Sequence, residues 1–275
     1  MVGIEMVSRA WRVAAVGGAA ALCLGLAPAR ADEAEDLAKK AANPVASLIS
    51  VPIQVNYDRG IGPLDDGFRV TTNVQPVIPF SINEDWNLIS RTIIPFVHQE
   101  NIFPGAGTQT GVGDVMQSFF VSPAQATAGG LTWGLGPVFV LPTASDPLLG
   151  SEKWGVGPTG VALVQKGPWT VGVLANHIWS VAGDSKRADV SRSFVQPFLS
   201  YTTHSAWSFG LQTEATYDWE ADDWSVPIQV NVSKMTTIGR QPVSFSAGVR
   251  YWAVSPTGGP EGIGARLGVS FLFPK

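Results

Sequence analysis

Cysteine is almost missing from this sequence, with Cys23 the single example in 275 residues. That excludes a disulfide framework and a thiolate zinc site, and with Cys23 lying in the first 31 residues it leaves the rest of the chain without a cysteine nucleophile. Histidine is scarce as well, at three residues, and only 15% of the chain is charged, against about 25% in ordinary globular proteins. A net charge of −4 argues against a nucleic-acid partner, which requires a basic surface to meet phosphates. Beyond residue 31 no stretch stays apolar for the roughly 20 residues that a membrane helix needs. No cofactor, no metal site and no catalytic constellation is predicted.

The chain is instead rich in 30 Gly, 20 Pro and 10 Trp. At its start, Arg9 and Arg12 precede an apolar run from Val13 to Ala27, and Ala29-Arg30-Ala31 has the form of a cleavage site. This is the layout of a secretory leader, and the run is broken by Gly17, Gly18 and Gly25, which disfavours an anchor. Leu22 before Cys23 is a poor context for lipid attachment. The expected organisation is a signal peptide over 1–31, a short helical segment over 32–45 and one domain over 46–275. Within 32–44, acids come first, Lys39-Lys40 come late and Asn43-Pro44 stops the helix. Such a segment is either a frayed periplasmic leader or a small plug at a barrel mouth.

After Pro44 the pattern has a period of two. Ile49, Val51, Ile53, Val55 and Tyr57 share one face, with Ser50, Gln54 and Asn56 on the other. Phe68, Val70, Thr72 and Val74 oppose Arg69, Thr71, Asn73 and Gln75 in the same way. Trp169, Val171, Val173, Ala175, His177, Trp179 and Val181 form another apolar row. About twelve strands follow, over 46–57, 67–80, 85–99, 111–122, 130–142, 152–165, 168–180, 191–203, 206–217, 223–233, 241–254 and 262–273. Long loops such as 142–152 and 182–191 alternate with tight links such as Lys166-Gly167 and His204-Ser205. An even strand number with long and short connections on opposite sides is the signature of an outer-membrane barrel. Trp86, Phe96, Trp133, Trp154, Trp169, Trp179, Trp207, Trp219, Trp224 and Trp252 recur near strand ends, as girdle aromatics do. A soluble sandwich is the competing fold, but it does not need apolar rows on nearly every strand backed by polar ones. The expected fold is therefore all-β, a closed antiparallel transmembrane barrel of about twelve strands, in the bacterial outer membrane and in contact with its lipid.

Charges in such strands point inward, because an unpaired charge facing lipid is costly. Arg69, Arg91, Asp114, Glu214, Arg250 and Arg266 are the resulting lumen-lining or constriction candidates. Their mixed signs predict ion pairs across the interior. Prolines within the strands, Pro52, Pro76, Pro79, Pro95, Pro137, Pro158, Pro197 and Pro227, each remove a ladder donor. They are expected at bulges or where strands rise beyond the membrane, the alternative being kinks that open the wall sideways to apolar solutes. The chain closes on "RLGVSFLFPK", where Leu267, Val269, Phe271 and Phe273 share a face and only Leu272 breaks the alternation. Arg266, Gly268, Phe271 and Phe273 match the form of a C-terminal assembly signal, which implies the barrel assembly machinery as a partner.

"GVGPTG" (155–160) has dinucleotide-loop spacing but is followed by strand and turn rather than a helix, so it is set aside. "SVPIQVN" occurs twice without repeating flanks. None of His98, His177 and His204 has a serine two residues away to share its face, which leaves a membrane-embedded hydrolase as a third-ranked function.

Several stretches together, "LAKKAANPVASLISVPIQVNYDRGIG", "VQPVIPFSINEDWNLISRTIIPF", "GVGDV", "GPVFVLPTASDPLLGSEKWGVGPTGVAL", "WSVAGD", "VQPFLSY" and "FLFPK", resemble the bacterial outer-membrane family labelled MetA-pathway of phenol degradation. Its members are also catalogued as transporters, or misleadingly as neuromedin U. The resemblance runs from about residue 36 to the end. It implies a barrel that passes aromatic or other apolar small molecules, a link that transfers to no particular residue. The leading function is thus a channel or transporter for small solutes. A closed structural barrel acting through its external loops is the alternative.

Overall fold

The computed structural model describes residues 28–127 and 129–274. A helix, α1 (Pro28–Ala41), precedes fifteen strand segments that form twelve staves, because three staves are each interrupted once. The staves are β1 (Ile49–Ile61), β2 (Gly67–Val74 and Val77–Ser81), β3 (Trp86–Glu100) and β4 (Thr108–Val112 and Val115–Pro123). Then come β5 (Leu131–Leu141), β6 (Lys153–Lys166), β7 (Trp169–Gly183) and β8 (Ser191–Thr202). Last are β9 (Trp207–Thr213 and Ala215–Asp218), β10 (Asp223–Ile238), β11 (Gln241–Val254) and β12 (Gly262–Phe273). Each stave pairs antiparallel with the next, and β12 pairs with β1 from Ile49↔Phe273 to Tyr57↔Ala265. The sheet is closed and has no free edge, which is the condition for strands to cross a bilayer. Among the described residues no helix is long and apolar enough to cross a membrane.

Alternation decides which side chain faces which solvent. Val171, Val173, Trp179, Leu135, Phe209, Val230, Val249 and Leu267 are exposed on the outer wall, where a hydrocarbon surround suits them. The inner face is less uniform than the sequence suggests. Toward the end that carries the short turns, Ile89, Phe120, Val161, Leu163 and Leu174 point inward and are buried. Stretches such as Val161-Ala-Leu-Val164 are apolar on both faces, so period alone does not reveal the inner one. Trp252 also departs from the expected girdle. It turns inward, with its indole Nε1 donating to Asp58 at 2.9 Å.

The prolines explain the interruptions. Two of the three occur without a change of register across the interrupted stave, so they are gaps in the ladder, although Pro227 also sits at a bulge, where the register between β10 and β11 shifts after Val226. Flanking registers set Pro52 opposite Gln75, next to Pro76, and set Pro197 opposite Thr213 and Pro227 opposite Glu214. Prolines lack the N–H that the partner carbonyl needs. Pro52 and Pro76 lie on adjacent staves, and Pro197 and Pro227 flank the interrupted β9 from either side, which concentrates the missing donors at each gap. Pro137 and Pro158 face each other directly across β5 and β6. Only the break at Gly113-Asp114 shifts register, from Phe96↔Val112 to Ile93↔Met116, as a bulge does.

The expected leader lies outside the described residues except for its last four. α1 begins at Pro28, upstream of the expected cleavage after Ala31, so its first turn holds no acid, while Lys39 and Lys40 do fall in its last turn.

Candidate functional site: the lumen

Five neighbouring staves, β9 to β12 and β1, bring three of the six predicted charges together. Arg266 donates from both terminal nitrogens to the Glu214 carboxylate, at 2.8 and 3.0 Å, and from Nε to Asn56 Oδ1 at 2.6 Å. Arg250 bridges Glu214 at 3.4 Å and Asp58 at 3.2 Å, with its guanidinium 4.9 Å from the Trp252 ring. Two cations and two carboxylates thus form one band, and the bidentate geometry of Arg266 is the strong form of such a pair. Gln212 also donates to Glu214, at 3.2 Å. Asp58 was read as part of a loop, yet β1 continues to Ile61 and carries it onto the inward row two residues after Asn56. The row Gln54-Asn56-Asp58 is the signal that identifies it. Arg250 Nε and Gln229 Nε2, opposite each other on β11 and β10, are buried donors without a partner among the described residues.

The other three candidates stand apart. Arg69 on β2 donates to Gln99 Oε1 at 2.8 Å. Arg91 on β3 donates to Gln75 Oε1 at 3.0 Å, and Gln75 in turn donates to Gln54 at 2.9 Å. Neither arginine has a carboxylate within salt-bridge distance among the described residues. Asp114, placed at the β4 bulge, accepts from Ser151 N at 2.7 Å, Ser151 Oγ at 2.8 Å and Ala144 N at 3.2 Å.

Those bonds fold the 142–152 loop into the lumen. Gln99 donates to the Leu148 carbonyl at 3.2 Å, and Arg187 of the following loop donates to the carbonyls of Pro147 and Gly150 at 2.9 and 2.6 Å. At the long-loop end, a cavity of about 680 Å³ lies beside Asp114, Arg187 and Arg192. A second, of about 310 Å³, lies between Arg69, Gln99 and Leu149.

At the short-turn end, α1 and the segment after it meet the inner wall. Leu37 and Ala38 pack with Leu48, Ala206, Met235 and Leu272. Val45 packs with the inward Ile89, Phe120, Val161, Leu163 and Leu174. Leu272, the apolar residue on the polar row of the last strand, is fully buried in the α1 contact. Glu35 accepts from Lys39 at 2.7 Å and lies 2.7 Å from His204 Nδ1. The Lys39 ammonium, and then His204, hold its carboxyl below the ordinary range against the opposing effect of burial. Gln165 donates to the Lys39 carbonyl at 2.9 Å.

On the outer wall, His177 does meet a serine, supplied by the neighbouring stave rather than by its own. Register pairs His177 with Ser193, and Nδ1 lies 2.7 Å from Oγ, which also accepts from Trp219 Nε1 at 2.9 Å. A hydrolytic triad requires a polar group on the opposite ring nitrogen. Nε2 of His177 is buried and has no partner among the described residues. No cluster of three or more metal-ligating side chains occurs among them either.

The fold is similar to a crystal structure of the COG4313 outer membrane channel from Pseudomonas putida F1. The TM-score is 0.65 at 14% identity, covering 82% of this chain and 96% of that one. Weaker likenesses are to the Salmonella typhi outer membrane phospholipase dimer with bound calcium (TM-score 0.48, 12% identity, 90% and 98% covered) and to the KdgM porin (0.45, 11%, 82% and 99%). No protein-family model and no curated protein sequence matches the chain. At these identities the likeness is one of fold, that of an outer-membrane barrel.

Proposed function

We propose that the protein is a bacterial outer-membrane channel for small solutes, with aromatic or apolar compounds among them. The observation that carries this is a closed barrel whose outer wall is apolar and whose interior holds charges and cavities on both sides of one ion-paired band. The six inward residues Arg69, Arg91, Asp114, Glu214, Arg250 and Arg266 line the path and set its constriction. Residues 1–31 act as the cleaved leader, 32–45 as a plug and 46–275 as the barrel. Its final strand is read by the assembly machinery through Arg266, Gly268, Phe271 and Phe273. The aromatic solute class rests on the resemblance to the phenol-degradation outer-membrane family. Purified protein in planar bilayers should give discrete conductance steps, and liposomes containing it should take up small solutes. Silence in both assays would remove the open-channel reading.

A second reading has its own support. α1 packs at one mouth and the 142–152 loop folds into the other, which describes a barrel that is closed and works through its external loops. Conductance that appears only when 32–44 is deleted favours a plugged channel. Absence of conductance even then favours the closed barrel.

A further inference from the structure

We propose that the inner chamber, between the charge band and α1, is a binding site for a small monocarboxylate with an apolar body, anchored by Arg91. This rests on the channel reading and narrows the class of solute. The chamber has a volume of about 190 Å³, below the ~300–1,000 Å³ of pockets for drug-sized ligands, so its occupant is small. Two cationic side chains, Arg91 and Lys40, line it, and no carboxylate does. Arg250 and Arg266 are neutralised by Asp58 and Glu214, and Arg69, which donates to the neutral Gln99, faces a different cavity at the long-loop end. Among the described residues the Arg91 side chain is hydrogen-bonded only to the neutral Gln75, and a guanidinium offers five N–H donors in a planar fork that fits a carboxylate bidentately.

The relay behind it is directional. Arg91 donates to Gln75 and Gln75 donates to Gln54, so the amides hold the guanidinium in place without cancelling its charge. Gln75 lies at the interruption of its stave, next to Pro76 and opposite Pro52, whose carbonyl accepts from its backbone N–H. Val77, paired directly with Arg91, and Leu48 and Leu174 supply apolar wall to the same chamber. Leu174 belongs to the buried cluster around Val45, and Val77 packs against it. A charged head meets Arg91 and an apolar body meets that wall. A neutral solute would leave the guanidinium unpaired, and an inorganic anion would leave the apolar side unused.

Calorimetry on the whole protein purified from membranes tests this without requiring transport. Benzoate is the probe, with benzyl alcohol as its neutral counterpart and chloride as the small anion. Benzoate should bind at least tenfold more tightly than either control, Arg91→Gln should weaken it at least tenfold, and Arg91→Lys should retain part of the affinity. Lys40→Gln, on the exposed face of α1, should weaken it by a smaller factor. It provides the test if Arg91→Gln fails to assemble, as judged by heat-modifiable migration on gels. Equal affinity for benzoate and benzyl alcohol, or benzoate binding unchanged in the assembled variants, overturns the proposal. Binding without liposome uptake keeps the site and rejects the channel. Uptake without selective binding does the reverse.

Discussion

The two ends of the lumen are obstructed by different chemistry. At the short-turn end the contact is apolar, with Val45, Leu37 and Leu48 packed against Phe120, Leu174, Met235 and Leu272. At the long-loop end it is polar, with Asp114, Gln99 and Arg187 holding the backbone of the 142–152 loop. Apolar burial is insensitive to salt and to most pH changes, whereas hydrogen bonds to ionised groups depend on the charge of one partner. The difference teaches that a barrel wall need not be apolar outside and polar inside along its whole length. Where the chain's own segment fills the bore, the inner face becomes a core.

The largest expected effect comes from removing the apolar obstruction. Deletion of 32–44 should raise single-channel conductance several-fold, and conductance equal to that of the whole protein would show that the segment lies outside the path. Next comes Glu214→Gln, which strands Arg266 and weakens Arg250 in the band. Breaking a buried ion pair from one side costs about 3–5 kcal/mol, to be read from urea unfolding in lipid vesicles. A change under about 1 kcal/mol would mean the band is well solvated. Asp114→Asn acts on the polar end and should be smaller, since hydrogen bonds to a charged group contribute about 1.5–3 kcal/mol. Hydrogen exchange should quicken in 142–152 and stay unchanged around Val45, and equal quickening at both ends would erase the distinction.

The smallest effect is the pH dependence of the α1 contact. The Glu35 carboxyl is depressed in the folded protein, so its contribution is complete above the ordinary carboxyl range. It is lost as pH falls through the lowered folded value. Conductance should therefore stay flat through mildly acidic pH and rise only below the ordinary range, and Glu35→Gln should flatten that rise. An increase already at neutral pH would point to a different group.

Much of this was legible in the sequence, and the rest failed for identifiable reasons. Period two located the twelve strands, and the cost of charge in lipid singled out six charged residues, of which Glu214, Arg250 and Arg266 meet in one ion-paired band. Asp58 was missed because β1 runs further than the apparent loop at "DRGIG" allows. The His177–Ser193 contact depends on the register between β7 and β8, which no spacing within one strand records. The apolar inner face was hidden because its partner, Val45, lies outside the strands. Leu272 was the one visible clue, an apolar residue on an otherwise polar row.

The central claim is that residues just after α1 sit inside the bore, and a disulfide between Val45→Cys and Leu174→Cys, which belong to the same buried cluster, tests it most directly. In membranes, mild oxidant should link the two in most molecules and suppress the conductance gained at acid pH, with reductant restoring it. Failure to link, with the cysteine at position 45 labelled by an impermeant thiol reagent as fast as in unfolded protein, would contradict the account.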